Sequence, residues 1–284
     1  KLNTFDYDFM RTMPALESVD LAQIDNTTIP ASCFKNSKIK TVILPLNLEA
    51  IPDNAFYQSK ITSINIPKTV LSIGNYAFYQ CTELGGTLDL PEGLLFIGDY
   101  AFAGNNNQSN DPCNKLEGNL IIPNSVTSIG ERAFYYCPHF NGTITIGSGL
   151  TKISDYAFAY CENLNGNLNL SGIIEIGEYA FYGCSGLYNS SNNILILGKS
   201  IETIKGHAFN LTASSGGAIQ CLFDKVYCQA LTPPLCDATA FAYRGSDQPT
   251  NWGYAPYLGV PIGCKDAYAS SAGFRFRIIE EVEF

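Results

Sequence analysis

A nine-residue pattern recurs five times within this 284-residue chain, and the copies differ mainly at their polar positions. The copies read IGNYAFYQC (73–81), IGDYAFAGN (97–105), IGERAFYYC (129–137), ISDYAFAYC (153–161) and IGEYAFYGC (176–184). Recurrence at a near-constant interval is typical of a chain built from stacked copies of one small unit. We therefore expect an elongated array rather than a domain folded around a single compact core.

The Phe of the Ala-Phe pair marks the phase of the repeat and extends it beyond the five clear copies. Neighbouring markers lie roughly 23 residues apart where the chain carries no insertion. An apolar residue stands five positions before each marker, and a Cys often stands three positions after it. The markers are Phe34, Phe56, Phe78, Phe102, Phe134, Phe158, Phe181, Phe209 and Phe241.

Short alternating segments separate the markers, among them TVILP (41–45), SINIP (63–67) and TLDLP (87–91). Alternation of apolar and polar residues predicts a strand with one buried face. A Pro or Gly directly after such a run ends the strand. Because no unit can bury its apolar side chains alone, the sequence predicts a solenoid stabilised by contacts between neighbouring coils.

The unit I-G-x-x-A-F-x-x-C-x-x-L, followed by a short I-x-I-P strand, resembles the BspA-type leucine-rich repeats of bacterial surface proteins. The resemblance extends from about Leu16 to Phe241, and segments 226–234 and 260–274 resemble closing segments found on such proteins in gut Bacteroidetes. It implies a β-rich, right-handed leucine-rich repeat solenoid of short parallel strands and tight turns or 3-10 segments. It also implies a surface protein that binds other macromolecules.

Two parts of one domain are expected. Residues 1–245 form the solenoid, with an incomplete N-terminal coil, and residues 246–284 form a small C-terminal cap. Within the cap we expect a strand near Leu258–Val260 and a short helix from Cys264 or Lys265 to about Gly273. The final segment, RFRIIEEVEF (275–284), is expected to cover the apolar end of the solenoid, since an open last coil would expose core and strand edges.

The middle positions of the predicted strands point away from the core, and we call this row the strand face. The row suits docking of a protein or glycan, but small polar and β-branched residues also suit a merely hydrated sheet surface. The strand face comprises Asp20, Ile43, Asn65, Asp89, Ile121, Thr145, Asn169, Ile196 and Tyr227.

Two groups of aromatic residues differ in their phase. Tyrosines that recur with the repeat, such as Tyr76 and Tyr100, are expected to pack from coil to coil. Trp252, Tyr254 and Tyr257 stand outside the repeat in NWGYAPYLG (251–259). This second group is a candidate aromatic patch for stacking on sugars or filling a partner's pockets.

A polar column follows the repeated Ile by two positions. These side chains are expected to cap backbone N–H groups of the following turn. Calcium is the alternative, but one carboxylate per coil brings too few oxygens together, and no metal site is predicted. The column comprises Asp53, Asn75, Asp99, Glu131, Asp155 and Glu178.

Nine of the ten cysteines fall into two groups, and the tenth, Cys33, replaces the Ala before Phe34. Cys81, Cys113, Cys137, Cys161 and Cys184 share one phase and are predicted to form a buried ladder of reduced thiols. Cys221, Cys228, Cys236 and Cys264 lie outside this ladder and lack the paired spacing of a zinc site. One disulfide among these four remains open.

Enzyme motifs are missing from the sequence. It contains no nucleophile elbow, phosphate loop or zinc-protease motif, so we predict no catalytic residue and no cofactor. A net charge of −9 argues against a nucleic-acid partner. No apolar run approaches the roughly 20 residues of a membrane-spanning helix.

The leading functional hypothesis is a secreted or cell-surface adhesion module that binds host or microbial macromolecules through the strand face. The alternatives are a structural spacer without a ligand and a carbohydrate-binding accessory protein that uses exposed aromatic residues. An extracellular or cell-surface location is expected, with targeting or lipid-anchoring sequence preceding Lys1.

Overall fold

The computed structural model describes residues 2–104, 114–189, 193–211, 222–241, 255–271 and 276–284. Cys113, Cys221, Trp252 and Tyr254 lie outside these residues, as does the expected boundary between solenoid and cap. In chain order the elements are α1 Thr4–Thr12, β1 Ser18–Asp20, β2 Thr41–Ile43, β3 Ala50–Ile51, β4 Ser72–Ile73, β5 Gly85–Thr87, β6 Phe96–Ile97, β7 Lys115–Glu117, β8 Leu120–Ile121, β9 Ser128–Ile129, β10 Ile144–Thr145, β11 Lys152–Ile153, β12 Leu168–Leu170, β13 Glu175–Ile176, α2 Ser185–Asn189, β14 Ile194–Leu197, β15 Thr203–Ile204, β16 Lys225–Cys228, β17 Leu235–Cys236, β18 Ala255–Pro261, α3 Lys265–Ser270 and β19 Phe276–Val282.

The strands pair in parallel between successive coils, which gives the β-rich leucine-rich repeat solenoid that the sequence predicts. The alternating segments form the pairs β1–β2, β5–β7 and β8–β10 and the sheet β12-β14-β16-β18-β19. The segments that contain the repeated Ile form a second column, with sheets β3-β4-β6-β9 and β11-β13-β15-β17. The strands are short because turn residues follow closely, as Pro45 does two positions after β2.

The phase-marker phenylalanines form one continuous stack through the core. Each ring is at most 2% exposed. Successive rings lie 5.0–5.7 Å apart and nearly parallel, from Phe34 to Phe241. The chain between Phe102 and Phe134 carries an insertion, yet these two rings keep the ordinary separation of 5.3 Å. The predicted coil period is therefore confirmed.

The Ala-Phe turn is a ladder of hydrogen bonds between coils. The amides of Asn54, Phe56 and Gln58 donate to carbonyls two residues apart in the next coil, at 2.7–2.9 Å. Asn54 and Gln58 take left-handed φ values of 57° and 52°, which aims alternate amides in one direction. The buried Ala leaves room for this close approach because its side chain is only a methyl group.

The described members of the cysteine ladder are buried, free thiols, as predicted. Each thiol donates a hydrogen bond to the carbonyl of the marker Phe one coil earlier, for example Cys81 Sγ to Phe56 O at 2.9 Å and Cys161 Sγ to Phe134 O at 3.1 Å. Cys228, Cys236 and Cys264 are also free. A disulfide that joins two of these three cysteines is thus excluded.

Additional side chains close both ends of the phenylalanine stack. At the N-terminal end, helix α1 buries Tyr7, whose ring meets Phe34 edge-on at 5.8 Å. At the C-terminal end, Phe276 of β19 lies 5.4 Å from Phe241. The prediction of an incomplete coil at this end is corrected by α1, whose apolar residues follow a helical spacing.

The C-terminal cap follows its predicted order of strand, helix and closing segment. Strand β18 contains the expected Leu258–Val260, and α3 begins at Lys265 but ends at Ser270, before the predicted Gly273. The closing segment covers the end as a full strand, since β19 pairs with β18 over its whole length. Tyr268 secures the helix by donating from its hydroxyl to the carbonyl of Ala230 at 2.8 Å.

Candidate interaction surfaces

The structure places every residue of the strand face at the surface. Seven of the nine are exposed, whereas Ile196 and Tyr227 are half-buried. The apolar members Ile43 and Ile121 are 45% and 51% exposed, but single exposed apolar side chains are common on protein surfaces and do not by themselves mark a binding site. The strand face is thus accessible along its length.

The register brings seven of these residues together in three groups rather than in one row, whereas Asn65 and Asp89 lie outside the described strands. Asp20 pairs with Ile43, Ile121 pairs with Thr145, and Asn169, Ile196 and Tyr227 lie side by side. In a uniform row Asp89 would lie opposite Ile121, and Thr87 would therefore pair with Asn119, two positions earlier in each strand. Thr87 pairs instead with Glu117.

A second shift separates the last two groups, because Thr143 pairs with Asn165 rather than with Asn167. The first shift lies beside the insertion between Phe102 and Phe134, but no insertion accompanies the second, so the spacing of markers and short strands does not reveal the shifts. Glu117 was missed for this reason.

A groove of about 550 Å³ opens at the second shift. It contains two predicted residues of the strand face, Thr145 and Asn169, and its other walls combine hydroxyl and amide side chains with apolar residues such as Ile146 and Ile173. The amides are already oriented, since Asn124 Oδ1 accepts from the amide of Ser148 at 3.1 Å and Asn169 Oδ1 accepts from the amide of Ser171 at 3.0 Å. Fixed donors and acceptors of this kind favour a polar ligand.

One member of the predicted aromatic patch joins the strand face. Tyr257 of β18 is half-buried, and its ring lies 5.8 Å from Tyr227. Phe284 contacts Tyr227 from another side at 6.2 Å. Burial and a hydrogen bond to Glu280 raise the pKa of Tyr257. The sequence does not predict the contact between Tyr227 and Tyr257, because it depends on the parallel pairing of β16 with β18.

The polar column caps the next coil, which corrects the expectation that each residue caps the turn that follows it. Asp53 Oδ1 accepts from the amide of Asn75 at 2.7 Å, and Asn75 Oδ1 accepts in turn from the amide of Asp99 at 2.8 Å. The same bond joins Asp99 to Glu131 and Asp155 to Glu178. The described residues contain no group of three or more His, Cys, Asp or Glu side chains placed to bind a metal ion.

This cap also explains the Gly of the repeated Ile-Gly pair. A Cβ atom on Gly74 would lie 2.5 Å from the amide nitrogen of Asp53, and one on Gly98 would lie 2.6 Å from that of Asn75. Contacts this short are forbidden, so the two coils could not approach closely enough to form the cap.

The recurring tyrosines pack from coil to coil, as predicted, and form a broad surface that we call the tyrosine face. Tyr76 stacks on Tyr100 at 4.8 Å, and Tyr156 stacks on Tyr179 at 4.7 Å. Edge-on contacts link these stacks to a second row of rings. The tyrosine face comprises Tyr57, Tyr76, Tyr79, Tyr100, Arg132, Tyr135, Tyr156, Tyr160, Tyr179, Tyr182 and His207.

The rings of the tyrosine face remain half-buried. Burial against their neighbours raises the pKa of Tyr76, Tyr79, Tyr156 and Tyr179, and it raises the pKa of Tyr160 to about 12. Their hydroxyl groups therefore stay protonated at neutral pH and can donate hydrogen bonds. Because many ring faces are covered by other rings, this surface offers mainly ring edges and hydroxyl groups to a ligand.

One cleft of about 720 Å³ contains both a cysteine and a histidine, Cys236 and His207. Burial raises the pKa of the Cys236 thiol, whereas a nucleophilic cysteine needs a lowered pKa. The imidazole of His207 stacks on Tyr179 at 4.7 Å and belongs to the tyrosine face. The cleft therefore lacks the activated thiol of a Cys–His nucleophile.

None of the described helices combines the length and the apolar character that a transmembrane helix requires.

Comparison with known proteins gives a family match and several similar structures. No curated protein matches the chain significantly. A leucine-rich cell surface protein from Faecalibacterium prausnitzii A2-165 is 24% identical over 68% of this chain and 56% of its own, with a TM-score of 0.41. A leucine-rich repeat protein from T. pallidum is 24% identical over 59% and 74%, with a TM-score of 0.46.

A leucine-rich repeat protein from Bacteroides ovatus ATCC 8483 is 14% identical over 94% and 84% of the two chains, with a TM-score of 0.40. These structures all have TM-scores below 0.5, so the assignment depends on the family match and on the coil geometry. The model of the BspA-type leucine-rich repeat region matches residues 4–118 and 110–226, in six copies. With its stacked Ala-Phe turns and short parallel strands, this chain belongs to the BspA-type leucine-rich repeat family.

Proposed function

We propose that this protein is a secreted or cell-surface adhesion module that binds a host or microbial protein through its strand face. The family match supports a protein-interaction module in general terms. The observation that carries the more specific proposal is the groove of mixed polar and apolar lining at Thr145 and Asn169, with the exposed Ile121 paired beside Thr145. This combination of oriented polar groups and an apolar neighbour is common in protein-binding surfaces.

An extracellular or cell-surface location, with a lipid anchor or another attachment outside this sequence, is part of the same proposal. The similar protein from Faecalibacterium prausnitzii is described as a cell surface protein. Buried reduced thiols are compatible with this location, because burial protects them from oxidants.

Glycan binding is the second candidate, and the lining of the same groove favours it. Hydroxyl and amide side chains lie in its walls at Asn124, Thr143, Ser148, Asn167 and Ser171, and sugars are bound largely through such groups. Stacking of sugars on the tyrosine face is less favoured, because those rings stack on one another.

The test uses a panel of purified host matrix proteins and microbial surface proteins together with a glycan array. Binding by the unaltered chain that is lost in Thr145→Arg supports the strand face. The matched control is Thr151→Arg, an exposed Thr six positions further along. Equal binding by Thr145→Arg and the unaltered chain would refute the strand face as the site, and an absence of binding to every probe would favour the structural spacer.

A further inference from the structure

The tyrosine face carries bulky side chains where its turns do not require them. Tyr76, Tyr100, Tyr156 and Tyr179 have left-handed φ values of 54–57°, a conformation that costs a bulky residue about 1–2 kcal/mol. Asn54 occupies the same position in its own coil with a φ of 57°. Asn adopts this conformation more readily, so the hydrogen-bonded turn explains the backbone but not the rings.

Arg132 takes the place of a tyrosine in the middle of the stack. Its guanidinium carbon lies 4.2 Å from the ring centroid of Tyr156 and 5.5 Å from that of Tyr100. Its Nη1 donates to the hydroxyl of Tyr100 at 2.9 Å and to the carboxylate of Glu131, the residue before it. The spacing of the tyrosine face therefore accepts a guanidinium group held by ring faces and a carboxylate.

A carboxylate and tyrosine rings also lie together at the N-terminal end of the stack, but there no arginine is present between them. The stack ends at Tyr76, because Asn54 is too short to cover a phenol ring as Arg132 covers Tyr156. The exposed Asp53 precedes Asn54 just as Glu131 precedes Arg132, and Tyr57 flanks Tyr76 at 6.4 Å.

Charge at this end is also suitable for a cation. Asp53 uses Oδ1 for its cap on the Asn75 amide, and its second oxygen has no described partner. Lys35 already places its ammonium group 4.6 Å above the ring of Tyr57, so an incoming cation has to displace this ammonium group from that ring or stack on Tyr76.

We propose that Asp53, Tyr57 and Tyr76 form an acceptor site for an arginine side chain of a partner protein. Guanidinium is planar and weakly hydrated, so it stacks on aromatic rings while donating to a carboxylate. Arginine and tyrosine are also enriched among the residues that dominate protein–protein binding. The site uses none of the strand-face residues, so it does not depend on the function proposed above.

The experiment uses a fluorescently labelled peptide that contains two arginines among glycines and has both termini capped. Fluorescence anisotropy measures its binding to the whole chain. Matched peptides carry lysine or glutamate in place of arginine. We expect saturable binding of the arginine peptide, about threefold or more weaker binding of the lysine peptide, and none of the glutamate peptide.

Three variants locate the site. Tyr76→Asn removes the ring and introduces the residue type that occupies the same left-handed position at Asn54 in the preceding coil. It should weaken binding about tenfold. An Asn at position 53 can still accept from the Asn75 amide, just as Asn75 itself accepts from the Asp99 amide. Asp53→Asn therefore keeps the cap but removes the negative charge, and it should weaken binding about fivefold. Asn54→Arg supplies an internal arginine and should block the site.

Tyr179→Asn, at the far end of the tyrosine face, is the matched control and should bind normally. Circular dichroism melting curves report whether each variant is folded. Equal binding of the arginine and lysine peptides, unchanged binding by Tyr76→Asn, or no saturable binding to the unaltered chain would each overturn the proposal. A loss of adhesion in Thr145→Arg would leave this result unchanged, so the two proposals fail independently.

Discussion

At the scale of single residues, the repeated Ile-Gly-acid sequence works between coils rather than within one. Gly98 allows the chain to approach Asn75, whose side chain caps the amide of Asp99. The Gly is thus required because no side chain fits between the two coils, and the polar residue is required because its side-chain oxygen accepts the hydrogen bond. Neither requirement needs a metal ion or a ligand.

Gly98→Ala should therefore destabilise the fold. The added methyl group would lie 2.6 Å from the Asn75 amide nitrogen, and overpacking of this kind costs about 1–3 kcal/mol of unfolding free energy. Chemical denaturation measures the change. Gly93→Ala, where the nearest atom is 3.7 Å away, is the control and should stay within about 0.5 kcal/mol. Equal effects of the two changes would contradict the steric explanation.

At the scale of structural elements, each coil contributes one ring to the phenylalanine stack, and the strands are too short to hold the coil alone. Phe102 is fully buried between Phe78 and Phe134, whereas Phe96 of the same coil is 50% exposed on β6. The same residue type therefore has different roles at positions only six residues apart. The stack joins neighbouring coils, which is where the stability of a repeat protein resides.

Phe102→Ala should lower the free energy of unfolding by about 3–5 kcal/mol, since it leaves a cavity between two packed rings. Phe96→Ala should change it by less than about 1 kcal/mol, because half of that side chain already contacts water. Guanidinium chloride titration of both variants measures the difference. A large effect of Phe96→Ala would show that the outer surface of β6 contributes to stability in a way that its exposure does not explain.

At the scale of the whole molecule, buried protonated groups line the solenoid from end to end. Burial raises the pKa of Cys33, Cys81 and Cys184 to about 12, from an ordinary value of 9.0. In the unfolded chain these thiols ionise near their ordinary pKa, while in the folded chain they remain neutral. Their contribution to stability is complete below pH 9 and is lost as the pH rises toward 12.

The solenoid should therefore lose stability steeply in alkali, with each buried thiol contributing up to about 1.4 kcal/mol per pH unit above pH 9. Denaturation at pH 7, 9, 10 and 11 measures the slope. Cys81→Ala should give a shallower slope even if its stability at pH 7 is lower. A free energy of unfolding that stays constant up to pH 11 would show that the thiols are accessible to solvent in the native state.

The sequence alone determined the coil period, the phenylalanine stack and the buried reduced thiols. These features recur at one phase, and a residue that recurs at one phase must lie in one column if the coils stack. It also selected the strand-face residues, which the structure exposes, although their role in binding stays a prediction.

Only the tertiary structure decided which residues of different coils become neighbours. The shift that pairs Thr87 with Glu117, the cap from Asp53 to the next coil and the meeting of Tyr227 with Tyr257 all join residues 22 or more positions apart. The register changes between coils without a change in the local pattern, so sequence spacing could not reveal these neighbours. The helix over Thr4–Thr12 was not predicted for a related reason. Its Tyr7 is buried because it covers the end of the phenylalanine stack at Phe34, a contact between residues far apart in the sequence.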